Sequence, residues 1–353
     1  MSIERIHIDQ FIELSFVHPV FDVRSPGEFF HAHLPKAFSL PLFTDEQRQK
    51  IGTAYKQIHR KEAIKIGVDY FGPRMRTLIE EVETILKNNN PHTDNNTLLI
   101  HCWRGGMRSG AVAWLMDLYG FKVYLLEGGY KAFRNWVLQQ FAHRYNFKII
   151  GGYTGSGKTE LLTELEKNNE KIINLEALAC HKGSAFGALG NPPQPSNEMF
   201  ENRLAMQLFS KTKGNANQFI WIEDESQRIG NLNIPKTLWE QMRNQTLFFL
   251  NIPFEKRLDY ICTHYGKFPK DMLINAIVRI QKRLGGLETK NAIHFLLEND
   301  VHKCFEVLLR YYDKQYEKGL HKRTELASIL QNVPCESVSA PNNVKKLLEN
   351  VRN

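Results

Sequence analysis

One glycine-rich stretch constrains the fold more than any other part of the chain. Gly152-Tyr-Thr-Gly-Ser-Gly157-Lys158-Thr159 satisfies G-x-x-x-x-G-K-[ST] in full. The apolar run Phe147-Lys-Ile-Ile150 leads into it, and Glu160-Leu-Leu-Thr-Glu-Leu165 follows at helical spacing. Backbone N–H groups wrap a phosphate where a strand ends, glycines turn the chain and a helix N-terminus closes the loop. The stretch therefore predicts a strand–loop–helix unit in an α/β sheet. Gly152, Gly155, Ser156, Gly157 and Lys158 would surround a phosphate chain, and Thr159 would hold a magnesium ion. Which molecule carries the phosphate stays open. The strand Phe219-Ile-Trp-Ile222 ends in Glu223-Asp224-Glu225-Ser226, where a metal-site acid is expected. Glu223 or Asp224 could bind a metal through water; either could equally pair with Arg228 or cap a helix.

A second loop has the same logic. Thr97-Leu-Leu-Ile100 runs into His101-Cys-Trp-Arg-Gly-Gly-Met-Arg-Ser-Gly110, followed by the apolar helix pattern 111–118. A helix N-terminus and the cations Arg104 and Arg108 favour thiolate over thiol at Cys102 and suit an oxyanion or a terminal chalcogen. Gly105 and Gly106 let the backbone turn, and Ser109 adds a hydroxyl. The spacing is C-x5-R. The other cysteines, Cys180, Cys262, Cys304 and Cys335, stand apart with no C-x-x-C pair, which is neither a disulfide framework nor a zinc site. His31-Ala-His33 has no third ligand in view, so no metal site is expected there.

At 353 residues the chain exceeds one ordinary core, and two domains are expected, 1–142 and 143–353. In the first, strands at 16–23, 97–100 and 121–125 alternate with helices at 45–61 and 74–87, with a polar break at 88–96. In the second, strands near 149 and 172 and at 219–222 and 247–252 give way to helices at 272–284, 292–297 and 305–316. Residues 182–201, rich in glycine and proline, have the composition of a binding or lid loop, or of a plain surface excursion. The last thirty residues carry no motif. Alternating strands and helices predict parallel sheets with ligands at strand C-termini. No apolar run approaches the roughly 18 residues of a membrane span. The first ten residues include acids and no long apolar core, so neither membrane nor signal peptide is expected, and the compartment expected is the cytoplasm. A formal charge of +8 permits a polyanionic partner, although Lys56, Arg60, Lys61, Lys65, Arg74, Arg76, Lys282, Arg283 and residues 318–323 are spread along the chain.

Asp22-Val-Arg-Ser-Pro-Gly-Glu-Phe29, His33-Leu-Pro-Lys-Ala37 and Leu126-Glu-Gly-Gly129 resemble the signatures of rhodanese domains, in which the cysteine at the place of Cys102 carries a persulfide. Common rhodanese loops are C-x4-R; the longer loop here is similar to that of rhodanese-like phosphatases. With the P-loop, Gly183-Ser-Ala-Phe-Gly187, Pro193-Gln-Pro-Ser196 and Glu223-Asp-Glu-Ser226, the chain resembles the tRNA 2-selenouridine synthase family from about residue 10 to at least 320. The resemblance implies a rhodanese-like parallel-sheet domain followed by a P-loop α/β domain with a helical C-terminal part. It also implies a transferase acting on 2-thiouridine at the tRNA wobble position. Geranylation of the sulfur from geranyl diphosphate would precede selenation from selenophosphate. Under it, Lys158 and the P-loop bind the prenyl diphosphate, Arg104 and Arg108 neutralise selenophosphate, Cys102 carries selenium, and the basic surface holds the anticodon arm. The competing readings are a rhodanese-like phosphatase and an ATP-dependent sulfurtransferase or kinase with a nucleotide on the P-loop; a non-catalytic tRNA-binding module would leave both loops without work.

Overall fold

The structure is a computed structural model that describes residues 3–89, 96–215 and 217–352. The chain divides into two compact units, Met1–Gln140 and Phe141–Asn353. Each is an α/β unit built on a five-stranded parallel sheet.

The first unit runs β1 (Ile3–Ile6), α1 (Ile8–Leu14), β2 (Val20–Asp22), α2 (Pro26–His31), β3 (Phe38–Ser39), α3 (Asp45–Gln57), α4 (Arg60–Asn89), β4 (Thr97–His101), α5 (Met107–Tyr119), β5 (Lys122–Leu126) and α6 (Gly129–Gln140). The sheet order is β1-β5-β4-β2-β3, every pairing parallel. Leu98, Leu99 and Ile100 on the central strand β4 are fully buried, as expected of a strand covered by helices on both faces. Two expectations are corrected here. The strand placed at 16–23 is only β2, because Phe16 and Val17 are exposed and the N–H groups of Val17 and His18 bond back to Leu14 to close α1. The helix placed at 74–87 starts at Arg60 and runs through Pro73. Side chains on both sides of the proline, Tyr70 and Phe71 before it and Met75, Leu78 and Val82 after it, pack on the same core, so tertiary burial overrides the local break. Most of the polar break, residues 90–95, lies outside the described residues.

The second unit runs β6 (Asn146–Gly152), α7 (Lys158–Lys167), β7 (Ile172–Ile173), α8 (Leu175–Ala179), α9 (Asn197–Thr212), β8 (Phe219–Glu223), a short antiparallel pair β9 (Arg228–Ile229) and β10 (Leu232–Asn233), α10 (Lys236–Arg243), β11 (Leu247–Asn251), α11 (Phe254–Tyr265), α12 (Lys270–Leu284), α13 (Gly286–Leu297), α14 (Val301–Leu320), α15 (Leu326–Ile329), β12 (Leu330–Pro334) and α16 (Ala340–Arg352). The order is β12-β11-β6-β8-β7, again all parallel. The last thirty residues, silent in sequence, supply the edge strand β12 and the helix α16. Val344 and Leu347 of α16 join Leu161, Leu162 and Leu165 of α7 in one buried cluster. A separate helical cluster, with Leu258, Ile261, Leu273, Ile277, Phe305 and Leu308, forms the helical part. Among the described residues no helix is long and apolar enough to cross a membrane.

In both units the candidate loop leaves the C-terminal end of the central strand, β4 for Cys102 and β6 for the P-loop. That is where parallel α/β sheets bind ligands.

Candidate active sites

Cys102 leaves β4 with 3% of its surface exposed, and α5 begins five residues later with Gly106 as N-cap. The loop is backed by the glycine pair that follows β5. Gly129 has φ +60°, and a Cβ there would lie 2.3 Å from the Cys102 carbonyl oxygen and 2.4 Å from the Gly105 nitrogen. Gly105 itself has φ +65° and would place a Cβ 2.5 Å from the Leu126 carbonyl. Only glycine fits either position. Tyr130 N–H donates to the Cys102 carbonyl at 2.8 Å and Lys131 N–H to that of Trp103 at 3.0 Å. The Ser109 hydroxyl lies 3.2 Å from Cys102 Sγ and at the same distance from the Gly106 carbonyl.

The two loop arginines differ. Arg104 is exposed. Arg108 Nη1 meets Glu28 Oε2 at 2.7 Å, and that same carboxylate caps α2 by accepting the Ser25 N–H at 3.1 Å. Burial raises the Glu28 carboxyl, but hydrogen bonds and charge from Arg108 outweigh it and hold the group below its ordinary range. Beneath the loop, Arg24 and Asp22 are 1% and 0% exposed, with Arg24 Nη2 to Asp22 Oδ2 at 2.6 Å and to the Ala32 carbonyl at 2.7 Å. The Arg24 guanidinium sits 3.7 Å from the centroid of Tyr130. A residue fixed through its backbone to Cys102 thus rests on a buried cation. Sequence reading quoted Asp22, Arg24 and Glu28 only as a signature; the alternation of acid and base in Asp22-Val-Arg24 is the signal that a buried pair was present. His33 stacks on Phe29 at 3.9 Å and bonds its carbonyl. Among the described residues no three His, Cys, Asp or Glu side chains gather as a metal site.

The P-loop joins β6 to α7. Gly152, Gly155 and Gly157 have φ of +153°, +81° and +70°. Gly155 packs on Ile261 of α11 and Gly157 on Val338, the segment between β12 and α16. Lys158 Nζ reaches the Gly152 carbonyl at 3.3 Å, and the Thr159 hydroxyl donates to Glu176 at 2.7 Å. Ser156 Oγ is buried with no protein partner. Among the described residues neither Glu223, which ends β8, nor Asp224, which follows it, pairs with Arg228, which donates to the Gly230 carbonyl. Glu223 accepts the Glu176 N–H at 2.8 Å, and burial pushes its carboxyl up to about 8. Asp224 pairs with Arg323 and accepts from the Tyr316 hydroxyl at 2.8 Å; that hydroxyl in turn accepts the Gly152 N–H at 3.2 Å. Arg257 ties the Thr154 carbonyl, at 3.0 Å, to Asp313 of α14, at 2.7 Å.

Sequence reading missed Glu225, Arg257, Tyr316 and Arg323. Glu225, which lines the cleft, stood in the Glu223-Asp-Glu-Ser226 run; Arg257 and Tyr316 lie in α11 and α14 with nothing local to mark them, and Arg323, one of the spread basic residues 318–323, lies in the turn after α14. Around the loop opens a cleft of about 740 Å³, with Lys158, Lys182, Arg243 and Arg323 among the cations and Tyr260, Tyr265, Tyr312 and Tyr316 among the aromatics that line it. Thr159 and Glu176 offer adjacent oxygens, which fits a magnesium ion arriving on a phosphate chain and completing its shell from phosphate and water.

Fold and site define a class: a rhodanese unit with a buried loop cysteine, joined to a P-loop unit. Residues 8–135 match the rhodanese-like domain and residues 145–338 the tRNA 2-selenouridine synthase AAA domain. A tRNA 2-selenouridine synthase of Sulfurovum sp. (strain NBC37-1) is 33% identical over 336 residues, covering 86% of this chain and 89% of that protein. That of Cupriavidus pinatubonensis is 32% identical over 340 residues, with the same two shares. The chain belongs to the tRNA 2-selenouridine synthase family.

Proposed function

We propose that this transferase modifies tRNA, replacing the sulfur of wobble 2-thiouridine with selenium, and that its two loops serve two successive steps. The reading is supported above all by one juxtaposition: the chain holds two anion cradles of different chemistry, one built around a buried thiol and one around a lysine. In the first step the 2-thio sulfur attacks C1 of geranyl diphosphate. A C–S bond forms, the C–O bond breaks, the ring nitrogen N3 releases its proton, and diphosphate leaves with its charge held by Lys158 and the P-loop amides. A magnesium ion borne by the diphosphate would meet Thr159 and Glu176. The alkylated C2 then has a thiolate as leaving group, which the free thione lacks.

In the second step selenophosphate enters the Cys102 loop. A direct S–Se bond on Cys102 would require an outside oxidant, or phosphorus leaving as phosphite. Attack of the Cys102 thiolate at phosphorus requires neither: the S–P bond forms, the P–Se bond breaks, and selenide is left in the cradle. Selenide adds to C2 and expels geranylthiolate, and water returns the cysteine and releases phosphate. Cys102 thereby delivers selenium while carrying the phosphoryl group, a use suited to the C-x5-R length of the loop. Ser109, 3.2 Å from Sγ, can donate to the departing thiolate. The excess of basic residues, +8 overall, would hold the anticodon arm through its phosphates in the cytoplasm.

The test is Lys158→Ala with thiolated tRNA and geranyl diphosphate. Prenyl transfer should fall by about 100-fold or more in kcat/KM, the effect of removing a charged transition-state donor. Unchanged transfer would remove the P-loop from the first step.

A further inference from the structure

The P-loop cleft continues into an apolar chamber. Thr154, Ser184, Ile261, Tyr265 and Tyr312 border both spaces; beyond them lie Phe186, Phe305, Leu308 and Leu309, each at most 4% exposed. Phe186 comes from the glycine- and proline-rich segment, and its ring lies 5.9 Å from that of Phe305 and 6.2 Å from that of Tyr265. The segment is fastened there by the Ala185 N–H, which donates to the Tyr312 hydroxyl at 3.3 Å. The start of the segment 182–201 thus packs on the site: Lys182, Gly183 and Ser184 line the cleft and Phe186 the chamber.

The chamber's chemistry discriminates between ligands. Among the described residues no charged group lines it, and the Ser184 hydroxyl already accepts the Phe186 N–H at 3.2 Å. With only the hydroxyls of Thr154, Tyr265 and Tyr312 besides, a nucleobase placed here would leave most of its ring nitrogens and exocyclic groups unpaired, which is costly. A branched hydrocarbon end would gain from burial at every methylene. The free volume is small, about 30 Å³ against about 740 Å³ for the cleft, so the chamber admits a chain's tip and stops a longer one.

We infer that this chamber seats the distal end of the apolar chain of the P-loop's diphosphate ligand, and that Phe186, Phe305 and Leu309 set the chain length accepted. This rests on the reading that the P-loop holds a prenyl diphosphate. The experiment is calorimetric titration of the full chain with inorganic diphosphate and with prenyl diphosphates of five, ten and fifteen carbons. The ten-carbon ligand should bind at least about tenfold tighter than inorganic diphosphate and than either other chain length. In Phe305→Ala the fifteen- to ten-carbon affinity ratio should rise at least about tenfold, with the affinity for inorganic diphosphate reporting an intact P-loop. Leu309→Ala, a smaller deletion, carries the same expectation if the first variant does not fold. An unchanged ratio in a variant that still binds diphosphate overturns the chamber alone. A ten-carbon ligand that binds wild type no better than inorganic diphosphate, or that is displaced by ATP more readily than by the prenyl ligands, overturns the prenyl reading of the P-loop and the chamber with it.

Discussion

Asp22→Asn is the substitution whose cost follows most directly from the geometry. Asp22 and Arg24 are 0% and 1% exposed, and the carboxylate takes Nε at 2.9 Å, Nη2 at 2.6 Å and the Arg24 backbone N–H at 3.0 Å. The amide keeps the shape and discards the charge, leaving the Arg24 cation buried beneath Tyr130 with neutral acceptors alone, one amide oxygen and the Ala32 carbonyl, and with an NH2 where the second carboxylate oxygen had accepted. Breaking a buried pair in this way costs about 3–5 kcal/mol, a large part of the roughly 5–15 kcal/mol that holds a domain folded. At about 3 °C per kcal/mol for a unit of this size, the thermal transition of the first unit should drop by about 10 °C in calorimetry of the whole chain. Replacing both partners, Asp22→Asn with Arg24→Met, should recover part of the loss, because the uncompensated charge is then gone. A drop under about 3 °C in the single variant, or no recovery in the double, would refute the reasoning.

Two further outcomes follow from buried groups. Burial pushes His101 below its ordinary value, whereas for Asp22 burial is outweighed by the fields of His101 and Arg24, which hold its carboxyl down. Both depressed values give stability that is present above the unfolded-state pKa and lost as pH falls through the folded one. The urea midpoint of the first unit, which holds both groups, should therefore hold near pH 7, decline below about 6.5 as His101 is forced to charge, and decline again below about 4 as Asp22 protonates; a midpoint of that unit that rises between pH 7 and 5 would contradict this. A chain ending at Ile329 loses β12 and α16 and with them four side chains, Val333, Cys335, Val344 and Leu347, each at most 4% exposed. At about 1.5–3 kcal/mol each, that loss approaches a whole domain's stability. Diphosphate binding should vanish with the truncation, and retained binding would show that the C-terminal segment is dispensable.

What the sequence made legible was local. The P-loop and the Cys102 loop are encoded in consecutive residues, because glycines with positive φ, a strand before and a helix after are enough to build them. Partners chosen by tertiary packing were not legible. Arg108 finds Glu28 eighty residues away, and Asp224 finds Arg323 rather than the nearer Arg228. The edge strand β12 is five residues with one fully buried side chain, Val333, and becomes a strand only because β11 offers it a parallel partner. The same holds for the chamber: Phe186 stands in sequence only as part of the Gly183-Ser-Ala-Phe-Gly187 stretch and Phe305 only as the first residue of a helical pattern, and the fold alone sets them side by side behind the phosphate loop.

The central claim is that two loops perform two ordered steps on one base. Mass spectrometry of thiolated tRNA incubated with the chain tests it, with geranyl diphosphate and selenophosphate omitted in turn and with Cys102→Ser beside wild type. Wild type should give S-geranylated tRNA without selenophosphate and selenated tRNA only with both donors, while Cys102→Ser should stop at the geranylated species and accumulate it. Selenated tRNA formed without geranyl diphosphate, or at the normal rate by Cys102→Ser, would contradict the account.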